Sequence, residues 1–173
     1  MTVDGRTAAR VFTIVLGIAA VAITIVGFRV TAGVRRTAVE TDRSLRSLAW
    51  AMLSYADVHG GFPAGEEALV AFGSGGDAIA AEPAGEWPRG RSDALAGLAE
   101  KPIPDALREI RVLWTASGAA APYLAPDGLP SGVGTIDAVN GWLDARGKAG
   151  FAPPAASPSP ESATIPAPGP DRP

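Results

Sequence analysis

The side chains able to do acid–base or nucleophilic chemistry are few and poorly placed to cooperate. The 173 residues include no cysteine, which removes disulfides, thiol nucleophiles and thiolate metal sites. The one histidine, His59, directly precedes Gly60-Gly61, where a ring near a helix C-terminus serves as a cap or dipole partner. Glu66 and Glu67 are consecutive. Consecutive helical residues do not face one another, so the pair reads as a solvated face rather than a general acid and base. Asp127 opens an Asp-Gly turn, and Asp137 stands where a short helix would begin. Trp50, Trp87, Trp114 and Trp142 have the chemistry of a ligand groove, but in so small a domain they read better as core. HExxH, GxSxG, CxxC and P-loop spacings are absent from the sequence. A non-enzymatic protein is expected.

The elements are more telling than the reactive groups. From Val11 to Phe28 the chain carries no charge. As a helix this run reaches about 27 Å, close to a hydrocarbon core of roughly 30 Å. A cleaved signal peptide has a shorter apolar region and a small-x-small cleavage site. Here Thr31-Ala32-Gly33 is only a weak candidate before Arg35-Arg36. A retained anchor is expected, with residues 1–10 as a short cytoplasmic lead and 11–34 as the transmembrane helix. Residues 35–151 would form the soluble domain, and 152–173 a Pro/Ala/Ser-rich tail too poor in apolar residues to order itself.

After the anchor the pattern stays helical to His59. Leu45, Leu48, Ala49, Met52, Tyr55 and Ala56 recur at three- and four-residue steps, with Arg43, Arg46, Ser47, Ser54 and Asp57 mainly opposite. Anchor and stripe together read as one long helix, stopped by Gly60-Gly61-Phe62-Pro63. Glu66 to Phe72 reads as a second helix, and Gly73 to Gly90 as a loop held by Trp87. Ser92 to Leu98 reads as a helical turn, Lys101 to Pro104 as a break, and Asp105 as the start of a short helix. Ile110 to Thr115 is the best strand, turned at Ser117-Gly118 into Ala121 to Leu124. Asp137 to Ala145 reads as a last helix. The expected class is α+β, a long N-terminal helix packed on a small antiparallel sheet.

Charge narrows the partners. The net charge is −3, yet up to Arg46 the chain carries Arg6, Arg10, Arg29, Arg35, Arg36, Arg43 and Arg46 against Asp4, Glu40 and Asp42. The remainder is acidic. A basic membrane-proximal segment before an acidic domain suits a lipid bilayer and argues against nucleic acid.

Two stretches resemble the major pseudopilin of type II secretion systems. DRSLRSLAWAMLSYADVHGGFPAGEEALVA, Asp42 to Ala71, is similar to that family's helix end, with its glycine-aromatic-proline exit and following short helix. DGLPSGVGTIDAVNGW, Asp127 to Trp142, is similar to its C-terminal loop, with Asp127, Gly128, Pro130, Gly132, Gly134 and Trp142 in register. The Gly73–Ile103 middle does not match. At the leader, Val11 stands where the family has glycine and Leu16 where it has glutamate.

The resemblance implies a pilin-like fold and a structural subunit anchored once in the inner membrane, its C-terminal domain periplasmic or extracytoplasmic. The basic residues after Phe28, counted alone, slightly favour the opposite orientation. Partners would be copies of itself, other pseudopilin-like subunits and components of the secretion assembly. The Leu45/Leu48/Met52/Tyr55 stripe would bury against the sheet. No cofactor is required, but the family loop binds calcium, which makes Asp127 and Asp137 candidate ligands beside carbonyls and waters. The alternative is a stand-alone bitopic envelope protein that uses a pilin-like domain as an accessory or binding module.

Overall fold

The computed structural model describes residues 5–79, 87–115, 118 and 120–151. The tail expected at 152–173, Ser117 of the expected turn and residues 80–86 of the expected loop lie outside these. Helix α1, Gly5–His59, runs 55 residues without a break, about 80 Å at the standard rise. The apolar run and the amphipathic segment are therefore one rod. It ends as its sequence dictates: Gly60 takes φ 68° and donates its N–H to Ala56 O at 3.0 Å.

Helix α2 covers Glu66–Phe72, and α3 covers Arg91–Ala94, a shorter piece than the turn expected at Ser92–Leu98. Helix α4, Ile103–Glu109, begins two residues before the expected Asp105 start. Pro102 is its N-cap and Pro104 sits in its first turn. A first-turn residue needs no helical N–H, so prolines that look like a break are instead the helix start.

Strands β1, Arg111–Leu113, and β2, Tyr123–Ala125, form a two-stranded antiparallel sheet. Its register is Arg111↔Ala125, Val112↔Leu124 and Leu113↔Tyr123. Helix α5, Thr135–Ala149, extends past both ends of the expected Asp137–Ala145.

The core gathers Leu45, Leu48, Ala49, Met52, Leu53 and Ala56 of α1 with Leu69, Ile103, Ala106, Ile110, Leu124, Val139 and Leu143. The expectation that the α1 stripe buries against the sheet needs correction. Helix α1 packs chiefly on α4 and α5, and the sheet reaches the core through Leu124. A three-residue strand pair offers too little apolar surface to cover the rod, whereas α5 presents Val139 and Leu143 one turn apart.

The polar side of α1 is covered as well. Ser47, Trp50, Ala51 and Ser54 are buried along with the stripe. Residues 73–79 and 87–101 cross that side, and their backbone groups are met by α1 side chains. Arg43 Nε and Nη2 donate to Ala99 O and Glu100 O at 2.6 and 2.9 Å. Arg46 Nη1 donates to Ala94 O at 2.8 Å, and Trp50 Nε1 to Gly76 O at 2.9 Å. The Lys101 N–H donates to Ser47 Oγ at 3.0 Å. Gly75 must be glycine: its φ is +77°, and a Cβ there would overlap the Ser54 side chain. The polar side opposite the stripe is the binding face of a loop.

Candidate functional site: a bare helix half and its fastened domain

Helix α1 divides sharply at Thr41. Beyond it every residue to Ala56 is buried or half-buried, and among the described side chains before it all but Ala38 are exposed. Phe12, Ile18, Ile23 and Phe28 all face outward, Ile23 and Phe28 being 73% and 78% exposed. The helix from Ile14 on contains the one span among the described residues that is long and apolar enough to cross a membrane. Its best window has mean hydropathy 2.2, and none of it is buried. Leaving such side chains in water forfeits about 1.5–3 kcal/mol for each large one. The chain's own polar groups fit an apolar medium: Thr24 and Thr31 hydroxyls donate back to Ala20 O and Gly27 O at 2.9 and 2.8 Å.

Where the rod enters the domain, charges lock it in place. Lys101 Nζ lies 2.5 Å from Glu109 Oε1 and 3.9 Å from Glu40 Oε2. Ser44 Oγ donates to Glu109 Oε2 at 2.7 Å. Burial pushes the Glu109 carboxyl up, but the hydrogen bonds from Lys101 and Ser44 and the charges of Lys101 and Arg43 outweigh it. The group sits below its ordinary value of 4.5. Further along, the Arg146 guanidinium, buried beneath α5, lies 3.7 Å from Asp57 of α1 and donates to Gly150 O at 3.1 Å.

The Asp127–Gly134 loop is fastened by a residue outside it. Asp42 Oδ1 accepts the Gly132 N–H at 2.8 Å, and a Cβ on Gly132 would overlap the other Asp42 oxygen. Asp127 takes φ 50° at its turn and has Arg111 Nη1 4.0 Å away. Asp137 is exposed in the first turn of α5, where the helix dipole favours an acid. Among the described residues no group of three or more acidic or histidine side chains gathers as a metal site, so nothing beyond the resemblance assembles a calcium cage here.

Of the stripe residues, Leu45, Leu48 and Met52 are fully buried. Tyr55 is half-buried, its ring 4.2 Å from His59 and 5.3 Å from Phe72 between centroids. His59 thus stacks at the helix end, and Trp87, Trp114 and Trp142 pack on the core. Sequence reasoning missed Asp42, Lys101, Asn140 and Arg146. Asn140 and Arg146 carried a signal, because both fall on the Ile136/Val139/Leu143 stripe of α5, where a polar residue has to be satisfied internally. Asp42 and Lys101 carried none, since their partners are distant in sequence. The chain matches no known protein family, no curated protein and no solved structure.

Proposed function

We propose that the protein is a membrane-anchored, pseudopilin-like structural subunit of a type II secretion or pilus-like assembly, with its domain on the periplasmic or outer side. The observation that carries this reading is the continuity of α1, one helix whose bare half is fit for lipid and whose other half is the centre of a folded domain. A rigid joint of this kind transmits force between bilayer and domain, as a stacked subunit requires and a tethered enzyme does not. In the bilayer, Gly17, Ala19, Ala20, Ala22 and Gly27 would let neighbouring helices approach closely.

A second reading, a stand-alone bitopic envelope protein, is favoured by Val11 and Leu16. With leucine there, the run from Val11 to Val34 contains no carboxylate to pair with a neighbour in the membrane. Chemical crosslinking in cells, followed by purification of the full chain, separates the two. A ladder of multiples, or capture of secretion-assembly components, supports the subunit. A chain recovered only as a monomer sinks it and leaves the stand-alone protein.

A further inference from the structure

Most cations of the folded domain are spoken for; Arg46 is turned to Ala94 O and the Trp142 ring, and the exposed Arg89 side chain alone has neither such a contact nor a carboxylate among the described residues. Arg43, Arg91, Lys101, Arg108, Arg111, Arg146 and Lys148 each face a carboxylate within 4.0 Å. Arg29, Arg35 and Arg36 are different. All three are exposed on the uncovered part of α1, and none has an acidic partner among the described residues.

The helix itself explains why. Three and four residues from Arg29 stand Ile25, Val26, Ala32 and Gly33, and from Arg35 stand Thr31, Ala32, Ala38 and Val39. Arg36 has Glu40 four residues on, but that carboxylate is turned toward Arg43 at 3.6 Å and Lys101 at 3.9 Å. Between these arginines lie Val30 and Val34, 60% and 53% exposed, with Phe28 just below. The neck is therefore at once apolar, cationic and unpaired. Arg29 and Arg36, seven residues apart, lie on one face and are separated by about 10 Å along the axis. The difference between about 30 Å and 40–45 Å of bilayer, shared by two leaflets, leaves about 5–8 Å for each headgroup layer, so the long guanidinium side chains have to make up the remainder by reaching along the axis.

We infer that Arg29, Arg35 and Arg36 form a collar that binds the phosphate groups of anionic phospholipids in the leaflet from which the domain emerges. The inference rests on the anchor reading above and adds a lipid preference to it. Long guanidinium side chains reach from an apolar helix to the headgroups, and each basic side chain near an anionic surface is worth about a fivefold change in association. The same contact accounts for a basic neck beside an outward-facing domain, because its charges are matched by lipid.

Electron spin resonance of the full chain in phosphatidylcholine vesicles tests this, with trace spin-labelled phosphatidylglycerol or phosphatidylcholine as probe. Wild type is expected to restrict phosphatidylglycerol in preference to phosphatidylcholine by about fivefold or more. The preference should shrink in 0.5 M salt, as screening requires. It should disappear in the triple Arg29→Gln/Arg35→Gln/Arg36→Gln variant and persist in Arg89→Gln, which removes an exposed charge from the domain. Restriction of both lipids equally by wild type overturns the collar while leaving the anchor intact, and points to an acidic protein as the partner of the arginines. Loss of the preference to inorganic phosphate, but not to chloride at equal ionic strength, also overturns it, in favour of a free-anion site. Absence of any restricted lipid contradicts the anchor itself.

Discussion

A few side chains far apart in sequence decide how the domain holds its rod. Asp42 is the sharpest case, since one carboxylate fastens a loop ninety residues away through the Gly132 N–H. Removing it leaves that donor unpaired, so Asp42→Ala is expected to cost about 1–3 kcal/mol, read by denaturant unfolding of the detergent-solubilised chain. Unchanged stability would mean that the loop is held by something else. Glu109 gives a pH signature. Its carboxyl lies below the ordinary 4.5 in the fold, so its contribution is fully present above that value and is lost as pH falls through the lower, folded value. Glu109→Gln should flatten that part of the acid-unfolding curve and leave the neutral-pH slope alone.

At the scale of elements, the two-stranded sheet is too short to stand alone, and a helix side chain completes it. Asn140 of α5 accepts the Leu124 N–H at 2.8 Å and donates to Leu124 O at 3.0 Å, taking the place of a third strand. Because Leu124 is fully buried, Asn140→Ala strands both groups. A loss of about 2–6 kcal/mol is expected, from about 1–3 for each unsatisfied group, with faster amide exchange at Leu124 as the specific readout. Leu48→Ala, at the centre of α1, should cost a similar 2–5 kcal/mol through its cavity.

What could be read beforehand follows the same division. The long helix, its Gly60 stop, α2 and the antiparallel pairing of β1 with β2 were legible because each is written in local periodicity, β-propensity or a local stop signal. The wrapping of α1 by residues 73–79 and 87–101 was not, because the partners of Arg43, Arg46 and Ser47 are backbone carbonyls and an N–H some fifty residues away. Helix α4 was misjudged at its start because Pro102 and Pro104 serve equally as breakers and as first-turn residues. The Asp127–Gly134 loop was legible as a loop, but its fastening by Asp42 was not.

At the scale of the whole molecule, one rod has two environments. From Thr41 to Ala56 it is the axis of a domain sealed by α4, α5 and a crossing loop, and its described side chains before Thr41 are exposed except Ala38. In the proposed anchored subunit, an unbroken helix across that boundary would fix the orientation of the domain relative to the bilayer. A two-glycine insertion at Thr37 should leave the fold of the domain unchanged, as read by its thermal unfolding, yet abolish crosslinked multiples. Ladders that survive the insertion would show that rigidity is not needed for assembly. The most direct test of the central claim is topology. The chain has no cysteine, and Val133 is fully exposed on the fastened loop, at 108%. A Val133→Cys chain is therefore expected to react with a membrane-impermeant maleimide in intact spheroplasts while remaining in the membrane fraction. Labelling only after lysis, or recovery of the chain in the soluble fraction, would contradict an anchored domain facing outward.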